Sequence, residues 1–102
     1  MKEFENSVYY NGADYCMQSL KLQEISEKAE TPFYVYDMDY IIQKYNKLKA
    51  SFPWENVRLF YAMKANFNPC MLKIMKDCGF CLDTVSPAEV ILAKKIGFDS
   101  KD

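Results

Sequence analysis

What most constrains this chain is an alternation that begins at Val57. Val57-Arg58-Leu59-Phe60-Tyr61-Ala62-Met63 is a mostly apolar run of strand length, bounded by turn-prone residues from Pro53 to Asn56 and by an asparagine-rich stretch after Ala65. Near-continuous apolar character predicts a strand covered on both faces, as in a parallel sheet. Asn68 and Pro69 then supply an N-cap and a first-turn proline, and Met71, Leu72 and Met75 line a helix that Gly79 can end. Phe80 to Val85 is the next strand. Ser86-Pro87-Ala88-Glu89 has the pattern of a capping box with proline at the first helical position, and the helix it opens runs through Val90, Leu92, Ala93 and Ile96 to Gly97.

Two strand-helix units joined by short loops predict parallel strands with right-handed crossovers, the α/β class. Such a chain begins either a barrel or an open doubly wound sheet. A complete barrel takes roughly 250 residues, whereas this chain has 102 and stops where a third strand is expected. Two strands would leave an apolar sheet edge uncovered. The expectation is therefore a fragment of a longer protein.

The first half is less regular. Residues 1–18 hold aromatics and an Asn11-Gly12 turn signal, a pattern for a hairpin or a loose strand pair. From Ser19 onward, Leu22, Ile25 and Ala29 recur at helical spacing, which predicts a short amphipathic helix ending before Thr31-Pro32. Phe33-Tyr34-Val35-Tyr36 is a compact β-rich run, with Asp37 as a cap for a helix over Met38 to Ser51. That helix places Ile41, Tyr45, Leu48 and Phe52 on one face, and Pro53 stops it.

Composition removes several function classes. Half the residues are apolar (50%) and 16% are aromatic, too hydrophobic for a disordered segment. Thirteen basic and fourteen acidic side chains are interspersed, leaving no basic patch for nucleic acid and no acidic tail. Tyr9, Tyr10, Tyr34 and Tyr36 are expected in the core, since no basic residues interleave with them as in a base-stacking platform. The N-terminus lacks a secretory profile, and no run approaches the roughly 18 apolar residues of a membrane span. A soluble cytoplasmic protein is expected, with no nucleic-acid or membrane partner.

In that compartment Cys16, Cys70, Cys78 and Cys81 are reduced thiols. Cys78 and Cys81 form a lone CxxC that straddles Gly79 at a helix end, with no histidine in the chain and no second CxxC. These are read as buried structural thiols ahead of a metal or redox site.

Lys64 follows the apolar run directly. At the carboxyl end of a buried strand, desolvation would disfavour the charged amine, the condition for a lysine to attack a carbonyl near neutral pH. In α/β barrels that end of the strand carries the chemistry. The plain alternative is a lysine that meets solvent where a loop starts.

The surrounding residues raise the first reading. Tyr61 to Gly79, with Tyr61-Ala62 before the lysine and Ala65-Asn66 after it, resembles the cofactor-attachment region of the fold-type III pyridoxal-phosphate-dependent decarboxylases. That group contains the diaminopimelate, ornithine and biosynthetic arginine decarboxylases. Thr31-Pro32-Phe33-Tyr34-Val35-Tyr36-Asp37 is similar to the family's lead-in to its first barrel helix, and Gly79-Phe80-Cys81-Leu82-Asp83-Thr84-Val85-Ser86 to its second barrel strand. The resemblance runs from about residue 20 to residue 98. Glu30 and Ala88 stand where many members have glycine, and neither touches the proposed chemistry. Alanine racemase shares the barrel and a comparable lysine, but Asn66-Phe67-Asn68-Pro69 fits the decarboxylases better.

This resemblance implies the beginning of a pyridoxal-phosphate-binding (β/α)8 TIM barrel of the alanine racemase-like type, truncated after about two βα units. Residues 37–102 would be the first part of the barrel. Residues 1–36 would be a segment that packs with a C-terminal β domain. It implies pyridoxal 5'-phosphate as cofactor, with Lys64 as the catalytic lysine that holds it. Asp83 is implied near that lysine as a carboxylate able to bias its proton, and Ala62 as a small residue leaving room for the ring. Their plain readings are a strand-end aspartate accepting backbone bonds and ordinary packing. Glu89 and Ser86 are read as capping residues only.

The implied activity is decarboxylation of a basic or diamino acid. The branch most resembled implies meso-diaminopimelate to L-lysine and carbon dioxide, by a homodimer in which this chain alone is inactive. Ornithine or arginine decarboxylation is the second reading, and a non-catalytic relative resembling the antizyme inhibitors is the third.

Overall fold

The computed structural model describes residues 7–102. In chain order these form β1 (Val8–Tyr10), β2 (Tyr15–Met17), β3 (Leu20–Lys21), α1 (Leu22–Ser26), α2 (Met38–Ala50), β4 (Phe60–Ala62), a 3₁₀ turn (Met63–Ala65), α3 (Pro69–Cys78), β5 (Cys81–Asp83) and α4 (Pro87–Ile96). The chain divides into two compact units, Met1–Ile41 and Ile42–Asp102.

In the first unit, β1 and β2 form an antiparallel hairpin with Val8 opposite Met17, and β3 joins β2 on its other side. The Asn11-Gly12 signal is borne out. The Asn11 side-chain oxygen accepts from the amides of Ala13 (2.9 Å) and Asp14 (2.8 Å), and Gly12 takes a left-handed φ of +102°. The part of the N-terminal expectation that concerns Met1 to Asn6 lies outside the described residues.

Three expectations here need correction. The helix expected from Ser19 is confined to Leu22–Ser26, because Leu20 and Lys21 pair with β2 and Ala29 falls beyond the last turn. Phe33 to Tyr36 is not a strand; β propensity forms none without a neighbouring backbone to bond. Tyr10, Tyr34 and Tyr36 are exposed (59%, 89% and 51%) and not core, while Tyr9 is half-buried. Strands of two or three residues cannot cover large rings, and Cys16 is the only buried side chain among the described residues of this unit. Asp37 does cap α2, accepting the Tyr40 amide at 3.0 Å, and its same oxygen accepts from Gln18 Nε2 at 2.9 Å.

In the second unit β4 and β5 pair in parallel, with Phe60 opposite Cys81, Tyr61 opposite Leu82 and Ala62 opposite Asp83. Both strands are shorter than their apolar runs, since pairing covers only these three positions. The Cys81 amide donates to the Leu59 carbonyl and the Leu82 amide, on the opposite edge, to the Asp102 carbonyl, each at 2.9 Å. Thus β5 is bonded on both edges, and its neighbours follow in chain order.

The core lies between this sheet and its helices. Met63 and Leu72 are fully buried, and Leu82, Ala93 and Phe98 complete the cluster, with Tyr61, Leu92 and Ile96 packed against it. Burying a side chain the size of Leu72 contributes about 2 kcal/mol. The helix signals were legible. Asn68 caps α3 by accepting the Cys70 amide at 2.9 Å, with Pro69 at the first position. The α3 and α4 helices end in matching Schellman motifs. Gly79 donates to the Lys76 carbonyl and Phe80 to Met75; Gly97 donates to Lys94 and Phe98 to Ala93.

Candidate functional site

Because β4 and β5 are parallel, their carboxyl ends lie at the same end of the sheet, where each following helix begins. Ala62 ends β4, half-buried, directly across from Asp83, which ends β5, exposed. Lys64 lies two residues beyond Ala62, in the 3₁₀ turn Met63–Ala65. The strand therefore stops before Lys64, and the two-residue alternation of a strand does not extend from Ala62 to it. Lys64 is exposed in this chain, so its expected burial is corrected.

The turn that carries Lys64 is nonetheless fixed on both sides. Met63, immediately before it, has no exposed surface. Asn66, two residues after, accepts the Tyr61 hydroxyl at its carbonyl (3.0 Å) and the Asn68 amide at its side-chain oxygen (3.0 Å). Asn68 in turn starts α3. Among the described residues the Lys64 amine and the Asp83 carboxylate join no ion pair, with each other or with any other group. Both are open to a ligand at the strand ends.

Glu89 caps α4 only in part. Its amide donates to Ser86 Oγ (3.3 Å), but its carboxylate takes the Ser86 hydroxyl (3.0 Å) and leaves the Ser86 backbone amide unbonded by it. The other carboxylate oxygen, Oε1, is buried without a hydrogen-bond partner among the described residues. The sequence signal for a capping box hid this free acceptor, which sits in the first turn of the helix that follows Asp83.

The donor set fits an aldehyde-bearing aromatic cofactor. Among the described residues it supplies an amine outside any ion pair on an anchored turn, a small half-buried residue on the strand before it and a carboxylate outside any ion pair across from that residue. Elsewhere the thiols divide. Of the pair read as buried structural thiols, Cys81 is buried as expected and Cys78, at the end of α3, is corrected to half-buried; Cys16 is buried, and Cys70, in the first turn of α3, is exposed. Burial, then the neighbouring Asp77 charge, pushes the Cys78 thiol above its ordinary value. Among the described residues no three histidine, cysteine or carboxylate side chains gather as a metal site, and no helix is long and apolar enough to cross a membrane.

Residues 38–102 match the family described as pyridoxal-dependent decarboxylase, pyridoxal binding domain. The diaminopimelate decarboxylase of Aquifex aeolicus is 33% identical over 97 residues, covering 95% of this chain and 23% of the relative. That of Methanothermobacter thermautotrophicus is 38% identical over 78 residues, covering 74% of this chain and 18% of the relative. The chloroplastic ornithine decarboxylase of Nicotiana glutinosa is 33% identical over 81 residues, covering 79% and 18%. A crystal structure of an Aquifex aeolicus protein superposes with a TM-score of 0.78 at 34% identity, covering 89% of this chain and 22% of that one. The chain thus spans about a fifth of the length of these relatives.

Proposed function

The chain belongs to the pyridoxal-dependent decarboxylases, its matched portion being their pyridoxal-binding domain, and on that premise we propose that Lys64 is the lysine that holds pyridoxal 5'-phosphate in an amino-acid decarboxylase. The observation that carries this reading is an exposed amine, outside any ion pair among the described residues, on a turn anchored at Met63 and Asn66 just past the carboxyl end of β4. That strand end is where an α/β barrel keeps its chemistry.

When bound, the cofactor supplies a conjugated ring that takes up the electron pair left as carbon dioxide departs. The chain's residues supply the rest. Lys64 Nζ would hold the cofactor and would deliver the proton that replaces carbon dioxide on the substrate carbon. Asp83, at the end of the adjacent strand, would accept a hydrogen bond from Lys64 Nζ with the cofactor in place and so bias the protonation of the amine. Ala62 leaves space beside the turn for a planar ring.

For the full-length protein the substrate we propose is meso-diaminopimelate, converted to L-lysine and carbon dioxide. Support comes from the relatives named diaminopimelate decarboxylase, one of which aligns over 95% of this chain. Ornithine is the second reading, supported by the shorter alignment to the Nicotiana glutinosa enzyme. The acting form we propose is a cytoplasmic homodimer, in which residues 1–36 pack with a C-terminal β domain and residues 37–102 open the barrel.

Borohydride reduction of the cofactor-loaded full-length protein, followed by peptide mapping, tests the site. Label is expected on Lys64; label on another lysine refutes the assignment. Release of carbon dioxide from meso-diaminopimelate, compared with ornithine and arginine, tests the substrate.

A further inference from the structure

Lys64 is exposed on a single 3₁₀ turn, and an exposed lysine on a short turn would ordinarily sample many positions. Here the turn is closed by a bond from within the strand before it. Tyr61 packs its ring edge-on against Phe80, with centroids 6.2 Å apart, and Phe80 packs on Tyr45 at 4.6 Å. From that support the Tyr61 hydroxyl donates to the Asn66 carbonyl at 3.0 Å, spanning five residues of chain with Lys64 in the middle. Asn66 is tied onward through its side chain to the Asn68 amide, and Asn68 to the start of α3.

We propose that Tyr61 is a positioning residue: by holding the Asn66 carbonyl, its hydroxyl fixes the turn that presents the Lys64 amine to the cofactor's aldehyde. This rests on the reading of Lys64 given above. Reaction of an amine with a bound aldehyde depends on how much of the time the amine is held within reach, so loosening the turn slows it. Phenylalanine at this place would keep the ring against Phe80 and remove the hydroxyl that pins the Asn66 carbonyl.

The test uses full-length protein stripped of cofactor. Pyridoxal phosphate is added, and growth of the visible absorbance of lysine-bound cofactor is followed in the parent, Tyr61→Phe and Gly97→Ala. A net hydrogen bond's worth corresponds to a roughly two- to tenfold slower rate for Tyr61→Phe. Gly97→Ala strains the left-handed end of α4, where a Cβ would meet only the Lys76 side chain, and leaves the Tyr61 hydroxyl in place, so it is expected to lower the melting temperature and leave the rate unchanged. Equal rates for parent and folded Tyr61→Phe overturn the proposal, as does slowing of both variants in proportion to their lost stability. Tyr61→Met, of similar reach and without a hydroxyl, replaces Tyr61→Phe if that variant yields no folded protein, with the same outcomes. Peptide mapping of the reduced parent separates the two claims. Label on Lys64 with an unchanged Tyr61→Phe rate overturns the pin alone, and label elsewhere overturns the lysine assignment and the pin with it.

Discussion

Ala62 and Asp83 stand directly opposite one another as the last residues of the parallel strands β4 and β5. The Asp83 carboxylate therefore projects from the sheet end just beyond which the chain turns through Lys64. Asp83 is exposed and joins no ion pair among the described residues, so its substitution is expected to change stability by no more than about 0.5 kcal/mol. In the proposed role as hydrogen-bond acceptor for the Lys64 amine it would be worth more, about 1.5–3 kcal/mol. Asp83→Asn in the full-length enzyme is thus expected to keep the parent melting temperature and to lose about ten- to a hundredfold in turnover. Parent-like turnover in this variant would remove Asp83 from the site.

Gly79 and Gly97 end their helices alike, with φ of +100° and +104°, yet their surroundings differ. A Cβ at Gly79 would come within 3.2 Å of the Tyr45 hydroxyl, whereas at Gly97 it would meet only the flexible end of Lys76 at 3.5 Å. Either alanine adopts the left-handed conformation at a cost of about 1–2 kcal/mol. Gly79→Ala must also displace Tyr45, whose ring packs on Phe80 and through it supports Tyr61. The expected outcome is a larger fall in melting temperature for Gly79→Ala than for Gly97→Ala, read by thermal denaturation of the two variants side by side.

The elements readable in the sequence were those specified by local chemistry. Asn68-Pro69 and Ser86-Pro87 start helices, and Gly79 and Gly97 stop them, because each acts on its own neighbouring backbone. The elements misread depend on distant partners. Val57 to Leu59 has the composition of a strand, but β4 is only as long as its pairing with Cys81–Asp83. Phe33 to Tyr36 has β propensity and no strand beside it, and Leu20 leaves the expected helix because β2 offers it a ladder. The motif around Lys64 was legible as a family resemblance, which the match over residues 38–102 bears out. The exposure of Lys64 was not legible, because burial of a strand end depends on what else covers that end. The Tyr61 bond to Asn66 and the unpartnered Glu89 oxygen were hidden for the same reason: each is a matter of side-chain reach in three dimensions.

The four thiols offer a check on the fold that needs no cofactor. Cys70 lies exposed in the first turn of α3, Cys78 is half-buried at its end, and Cys16 and Cys81 are buried at 4% and 6% exposure. Cys81 is further covered by Arg58, whose Nη2 lies 3.0 Å from its sulfur while also donating to the Lys101 carbonyl at 2.6 Å. Brief treatment of the folded protein with iodoacetamide is therefore expected to label Cys70 first and Cys78 next, with Cys16 and Cys81 labelled only as the fold opens. The reactive species is the thiolate. Burial and Asp77 hold the Cys78 thiol protonated past its ordinary 9.0, so its labelling rate should rise later with pH than that of a free thiol. The sign for stability follows. The folded state keeps this proton more tightly than the unfolded chain, so the contribution is intact below pH 9.0 and is lost as pH climbs through the raised value. Mass mapping of alkylated peptides across that range gives the order directly, and early labelling of Cys81 would contradict the packing of β5 beneath Arg58.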